Sequence, residues 1–152
     1  MRTLAAAALL CLTSPALVLA EDRATTKDAE QMVHKAVGFL KANGKEKALA
    51  TFSDPKGAFT YLDLYVFALD RDGNVRAHGT RKDFIGKNHL AFKDADGKAF
   101  NREMLETAKR DGKGWVEYKM QNPISGKVEQ KVAYFELVDG LVVGCGAFLK
   151  QP

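Results

Sequence analysis

Two acidic loops, three histidines and a cysteine carry the side chains whose types suggest metal binding or catalysis. Asp70-Arg71-Asp72-Gly73-Asn74 begins like a calcium loop, which needs an acidic ligand near its twelfth position. Arg81 stands there, and Leu105 stands at the equivalent place after Asp94-Ala95-Asp96-Gly97. Both segments therefore read as turns that use Asp and Gly for their backbone shapes. His34, His78 and His89 lack ligand-like spacing, so no metal site is expected. Cys145 lies between glycines in an apolar run, which predicts a buried, inert thiol. The sequence holds no nucleophile elbow, phosphate loop or dinucleotide fingerprint. No enzymatic activity and no cofactor are expected.

The elements that position the remaining polar groups can be read in order. Thr25-Thr26-Lys27-Asp28 offers a capping hydroxyl and an acid in the first turn of a helix. Ala29, Met32, Val33, Ala36, Val37 and Leu40 continue at helical spacing, and Asn43-Gly44 ends the element. A second short helix is expected over Glu46 to Phe52, before Asp54-Pro55. Leu62 to Leu69 is almost wholly apolar, which predicts a central strand covered on both faces. The Asp70–Asn74 turn returns it as a second strand from Val75 to Gly79. Residues 80 to 99 read as a long irregular connection, followed by a helix from Phe100 to Arg110. Three strands close the chain: Gly114 to Met120, Val128 to Val138 and Leu141 to Leu149, turned by Asn122-Pro123 and Asp139-Gly140. This order predicts an α+β domain with a five-stranded antiparallel sheet, N-terminal helices, and a helix in the connection between strands two and three.

The first twenty residues have the parts of a cleavable export signal: Arg2, the apolar run Leu4 to Leu12, and Val18-Leu19-Ala20 before charged residues. The apolar run is too short to span a bilayer, and Ser14-Pro15 interrupts it. Bulky Leu9 and Leu10 argue against lipid attachment at Cys11. The expected division is therefore a signal peptide over 1–20 and one domain over 21–152, periplasmic or secreted and without a stable membrane anchor after cleavage. Cys11 and Cys145 are the only cysteines, and Cys11 leaves with the signal, so no internal disulfide is expected. The chain holds 23 Lys and Arg against 19 Asp and Glu. These charges are interspersed, so no nucleic-acid-binding stripe is formed.

A set of short strings then resembles the single Cache domain family. These are Asp63-Leu64-Tyr65-Val66-Phe67, Asp72-Gly73, Ala77-His78-Gly79 and Ile85-Gly86-Lys87-Asn88. Further along come Gly114-Trp115-Val116-Glu117-Tyr118-Lys119, Asn122-Pro123, Lys131-Val132-Ala133-Tyr134 and Val143-Gly144-Cys145-Gly146. The resemblance runs from about Ala29 to Phe148. It implies a PAS-like sheet, an extracytoplasmic location and recognition of small molecules, often short carboxylates. Such domains commonly serve as sensor modules on chemoreceptors and histidine kinases, whereas no output domain is read in this sequence.

A site for a small organic anion needs a few convergent polar groups in an apolar cavity, with donors or a cation to replace the carboxylate's hydration. Tyr65, His78, Trp115, Tyr118, Lys131 and Tyr134 are the candidate ligand-binding residues. Lys131 would be the charge partner, the tyrosines and His78 the donors, and Trp115 an apolar wall. Gly144 and Gly146 would leave room beneath the ligand. Lys131 and Tyr134 are three apart, so a regular strand sends them to opposite faces. Either a bulge intervenes or only one enters the site, and Lys131 drops out if the strand is regular and Tyr134 points inward. The leading expectation is an exported, small-molecule-binding, sensor-type module for a short organic acid, without its own output domain and with a membrane receptor as its expected partner. A structural or protein-interaction module without a working pocket is the alternative.

Overall fold

A computed structural model describes residues 23–150. The segment read as an export signal, 1–20, lies outside the described residues. Helix α1 covers Thr26–Asn43 and opens on the expected cap: Asp28 N–H donates to Thr25 Oγ1, while the Asp28 carboxylate accepts from Thr25 N–H. Its apolar stripe, Ala29, Val33, Ala36, Val37 and Leu40, is buried against the sheet. Gly44, at φ 81°, ends α1 and starts α2, Lys45–Phe52, in a backbone conformation that other residues adopt only with strain. Thr25→Ala should lower stability by about 1 kcal/mol in urea unfolding, because it leaves a first-turn N–H without its acceptor.

Six strands follow: β1 Thr60–Tyr61, β2 Leu64–Asp70, β3 Val75–His78, β4 Lys113–Gln121, β5 Val128–Val138 and β6 Leu141–Phe148. Helix α3, Phe100–Asp111, lies between β3 and β4. All pairings are antiparallel, in the order β1-β2-β6-β5-β4, with β3 also paired to β2. The sheet thus has one strand more than the five expected from sequence. Leu62, at φ 52°, turns the chain at the first residue of the run that read as one strand, folding the preceding Thr60 and Tyr61 back onto Tyr65 and Leu64. The remaining elements shift by a residue or two at their ends.

The sheet is covered on both faces, which explains the continuous apolar character of β2. Leu64, Val66 and Ala68 join α1, Val143, Cys145 and Ala147 in one core. Tyr65, Phe67 and Leu69 face the other way, with Phe100, Met104 and Ala108 of α3 and Phe135 and Phe148 of the sheet. The connection from Gly79 to Ala99 is irregular yet pinned. Val75 N–H donates to Lys87 O, Gly86 N–H to Val75 O, and His89 N–H to Gly73 O, all at 2.8–2.9 Å. Asn101 Nδ2 of α3 donates to His89 O. The acidic loops are turns: the Asp70 carboxylate accepts from the N–H groups of Asp72 and Asn74, and Asp94 from those of Asp96, Lys98 and Lys119.

Candidate ligand site

Strand alternation decides which candidate residues meet. β5 is regular, pairing Tyr118 with Lys131 and Trp115 with Tyr134 across to β4. Lys131, Ala133 and Phe135 therefore point toward α3, while Tyr134 and Val138 join the α1 core. No bulge is needed to reconcile them. Tyr65, His78, Tyr118 and Lys131 come together on the α3 side. Trp115 and Tyr134 lie on the opposite face, their ring centroids 5.0 Å apart, with Trp115 43% exposed. The Tyr134 hydroxyl donates to Glu136, which also meets His34 of α1 at 3.1 Å. Burial, then that carboxylate, push the Tyr134 hydroxyl up to about 12.

Lys131 is fully buried, and its Nζ has no hydrogen-bond partner among the described residues. Nζ lies 3.7 Å from the centroid of the Tyr65 ring, 4.9 Å from that of Phe148 and 5.9 Å from those of Phe67 and Tyr118. Ring faces attract a cation but cannot accept the three hydrogen bonds of an ammonium. Burial pulls Lys131 down to about 7, opposed by the weaker influences of Cys145 and Asp63. The stem of Lys131 fits because residue 146 is glycine: a Cβ there would stand 2.5 Å from Lys131 Cε. Gly144 likewise accommodates the ring of Phe67. The space expected beneath a ligand is filled by these two side chains.

His78 Nδ1 accepts the backbone N–H groups of Thr80, at 3.3 Å, and Arg81, at 3.0 Å. This places the imidazole proton on Nε2. Burial first, then the positive charge of Lys131, pull His78 down to about 3, so it is a neutral donor. Its ring packs 4.8 Å from that of Tyr65. Burial raises both Tyr65 and Tyr118 above the usual phenol range, keeping both hydroxyls protonated. Tyr118 is held by Phe100, parallel at 4.0 Å. Cys145 is buried on the other face of the sheet, and burial pushes its thiol up to about 12, in keeping with an inert group.

Tyr65, His78 and Tyr118 border a small cavity of about 30 Å³, completed by residues including Phe84, His89 and Asn101. A wider mouth of about 250 Å³, sharing Tyr65 and His78, opens between Thr80-Arg81 and the β4–β5 hairpin. Lys131 lies one layer behind this cavity, screened by the Tyr65 ring. The Arg81 guanidinium at the mouth is bound by both oxygens of Asp83 and lies 4.0 Å from the Phe84 ring. Phe67 and Phe148 were missed in the sequence as site residues, although period two from Tyr65 identifies Phe67. Phe84, His89 and Asn101 have no such signal, because a non-periodic segment and a helix start bring them in.

The β4–β5 hairpin is fastened to the start of α1. Buried Glu129 accepts two bonds from Arg23, at 2.5 and 3.2 Å, and one each from Ser125 Oγ and Asn122 Nδ2. Asn122 Nδ2 also donates to buried Asp63, which accepts from Ala24 N–H. Arg23, helped by Ser125 and Asn122, holds the Glu129 carboxyl down at about 2.

An antiparallel sheet between two helical layers, with one inward cluster of donors, defines a Cache-type sensor domain. Residues 20–151 match the model of the Single Cache domain 2 family, and the chain belongs to that family. A sensor histidine kinase, MctS, of Rhizobium johnstonii is 36% identical over 89 residues, which are 57% of this chain and 19% of the kinase. The match thus spans about a fifth of that relative. The fold is shared with a methyl-accepting chemotaxis protein from Vibrio parahaemolyticus, at a TM-score of 0.69, 21% identity and coverage of 80% and 86% of the two chains. It is shared too with a Cache chemosensory domain described for carboxylic acid recognition, at 0.64, 22%, 82% and 88%. Cache domains are non-catalytic sensor modules that bind small molecules, typically outside the cytoplasm.

Proposed function

We propose that this domain binds a short organic acid on the α3 side of its sheet, with Lys131 as the charge partner and Tyr65, His78 and Tyr118 as donors. The carrying observation is the Lys131 amine, fully buried with no hydrogen-bond partner among the described residues. Buried polar groups are otherwise paired, so an unspent donor beside neutral donors suits an anionic acceptor. The cavity is small, so a ligand of four to six heavy atoms enters from the mouth as the Tyr65 and Tyr118 rings part. Trp115 and Tyr134, on the other face, take no part in this reading. We further read residues 1–20 as an export signal, so the domain acts in the periplasm and passes its ligand state to a membrane receptor.

A thermal-shift series over formate, acetate, propionate, butyrate and lactate tests the reading. At a hundredfold excess over Kd, a bound acid should add about 2.7 kcal/mol of stability, which raises Tm by several degrees. Propionamide, of similar shape but uncharged, should give no shift. Absence of any shift in the acid series overturns the proposal. It would favour an interaction module instead, a reading supported by how fully side chains fill the site.

A further inference from the structure

We infer that the site takes its ligand as a complete acid, the anion together with one proton that Lys131 acquires on binding. This rests on the carboxylate reading above and adds a second ligand, the proton, to the same site.

The argument begins with what surrounds Nζ. β2 presents the Tyr65 and Phe67 rings, β4 presents Tyr118, and β6 presents Phe148 and Gly146. α3 contributes Phe100 and Met104 to this core, neither of them titratable. His78 of β3 is neutral, its Nδ1 occupied by backbone N–H groups. Cys145, on the far face of β6, is a neutral thiol. Asp63 is the carboxylate that acts on Lys131, and it already accepts from Ala24 and Asn122. Glu129 is held by Arg23, and Arg81 by Asp83. Among the described residues, no ion therefore pairs with the amine. In this setting the neutral amine is favoured over an ammonium with three unmet donors.

A carboxylate brought within reach reverses the balance, because the charged form then gains a partner. The amine nitrogen takes a proton from solvent, and the ion pair that results is neutral overall. Lys131 titrates near 7 when the site is empty. Binding above that pH must therefore draw in a proton, whereas at lower pH the proton is already present. Affinity is flat below about pH 7 and falls up to tenfold per pH unit above it.

Calorimetric titration of the domain tests this, using whichever acid of the formate-to-lactate series stabilises it most. Heats measured at pH 8.0 in phosphate and in Tris, buffers of different ionisation enthalpy, give the number of protons bound. About one proton per acid at pH 8.0, falling toward zero at pH 5.5, is the expected result. An acid that binds with no proton uptake and a pH-independent Kd overturns this inference and leaves the carboxylate site standing. If no acid of the series binds, both fall together.

Discussion

Lys131→Met is expected to make the domain more stable and unable to respond to its ligand. Methionine matches the stem as far as Cε and loses the amine, so the aromatic cage keeps most of its filling without an unpaired polar group. Leaving such a group buried typically costs about 1–3 kcal/mol, which the variant should recover in denaturant unfolding. The sign of its pH dependence follows from the titration of Lys131. The unfolded lysine holds its proton to about 10.5 and the folded one only to about 7. Between those values the unfolded chain binds more protons, so wild-type stability rises with pH. The advantage of the variant is full below pH 7 and shrinks as pH climbs toward 10.5. Parallel unfolding curves for the two proteins at pH 6.0 and 9.5 measure this directly. A variant less stable than wild type at both pH values would show that the amine is satisfied in the fold, and would remove the main support for the anion site.

Gly144→Ala should be the more damaging change despite adding one methyl group. Its Cβ would stand well inside van der Waals contact with three atoms of the Phe67 ring, which is itself wedged beneath the α3 layer. Overpacking of this kind costs about 1–3 kcal/mol. The upper end is expected here, because β2 and β6 are directly paired at Phe67 and Gly144 and neither backbone can retreat without breaking the ladder. Phe67→Leu in the same chain removes the clashing ring atoms and should restore part of the loss. A double-mutant cycle in urea measures that coupling. Strictly additive losses would show that Gly144 is required for its backbone and not for the ring above it.

The fold was largely legible because its patterns are local. The Thr25–Asp28 capping box, the α1 stripe and the turns at Asp70–Asn74 and Asp139–Gly140 each announce themselves within a few residues. The two-residue β1 was not legible, since nothing in an apolar run marks Leu62 as the residue that turns back. For the site, types and strands could be read but faces could not. Parity separates Lys131 from Tyr134, yet only packing of α1 and α3 on opposite sides of the sheet decides which face holds the other donors. Parity also separates Trp115 from Tyr118, three residues apart on one strand, and the same packing leaves Trp115 on a half-exposed surface. The role of the glycines was misjudged for a related reason. An empty strand position signals a close neighbour, but sequence does not say whether that neighbour is a ligand or a side chain of the adjacent strand.

The Glu129 clasp gives the site a mechanical connection to the far end of the chain. The hairpin that forms one lip of the mouth is bolted through Asn122 and Glu129 to Arg23, and through Asp63 to Ala24, immediately before α1. Because Glu129 stays ionised down to about pH 2, this linkage keeps its grip across the range in which Lys131 changes charge. The group that titrates and the group that fastens the hairpin are thus different residues. The lip of the mouth and the residues that lead into α1 are therefore tied to one another directly, by side-chain bonds that start from the beginning of β5 rather than from the ligand cluster itself.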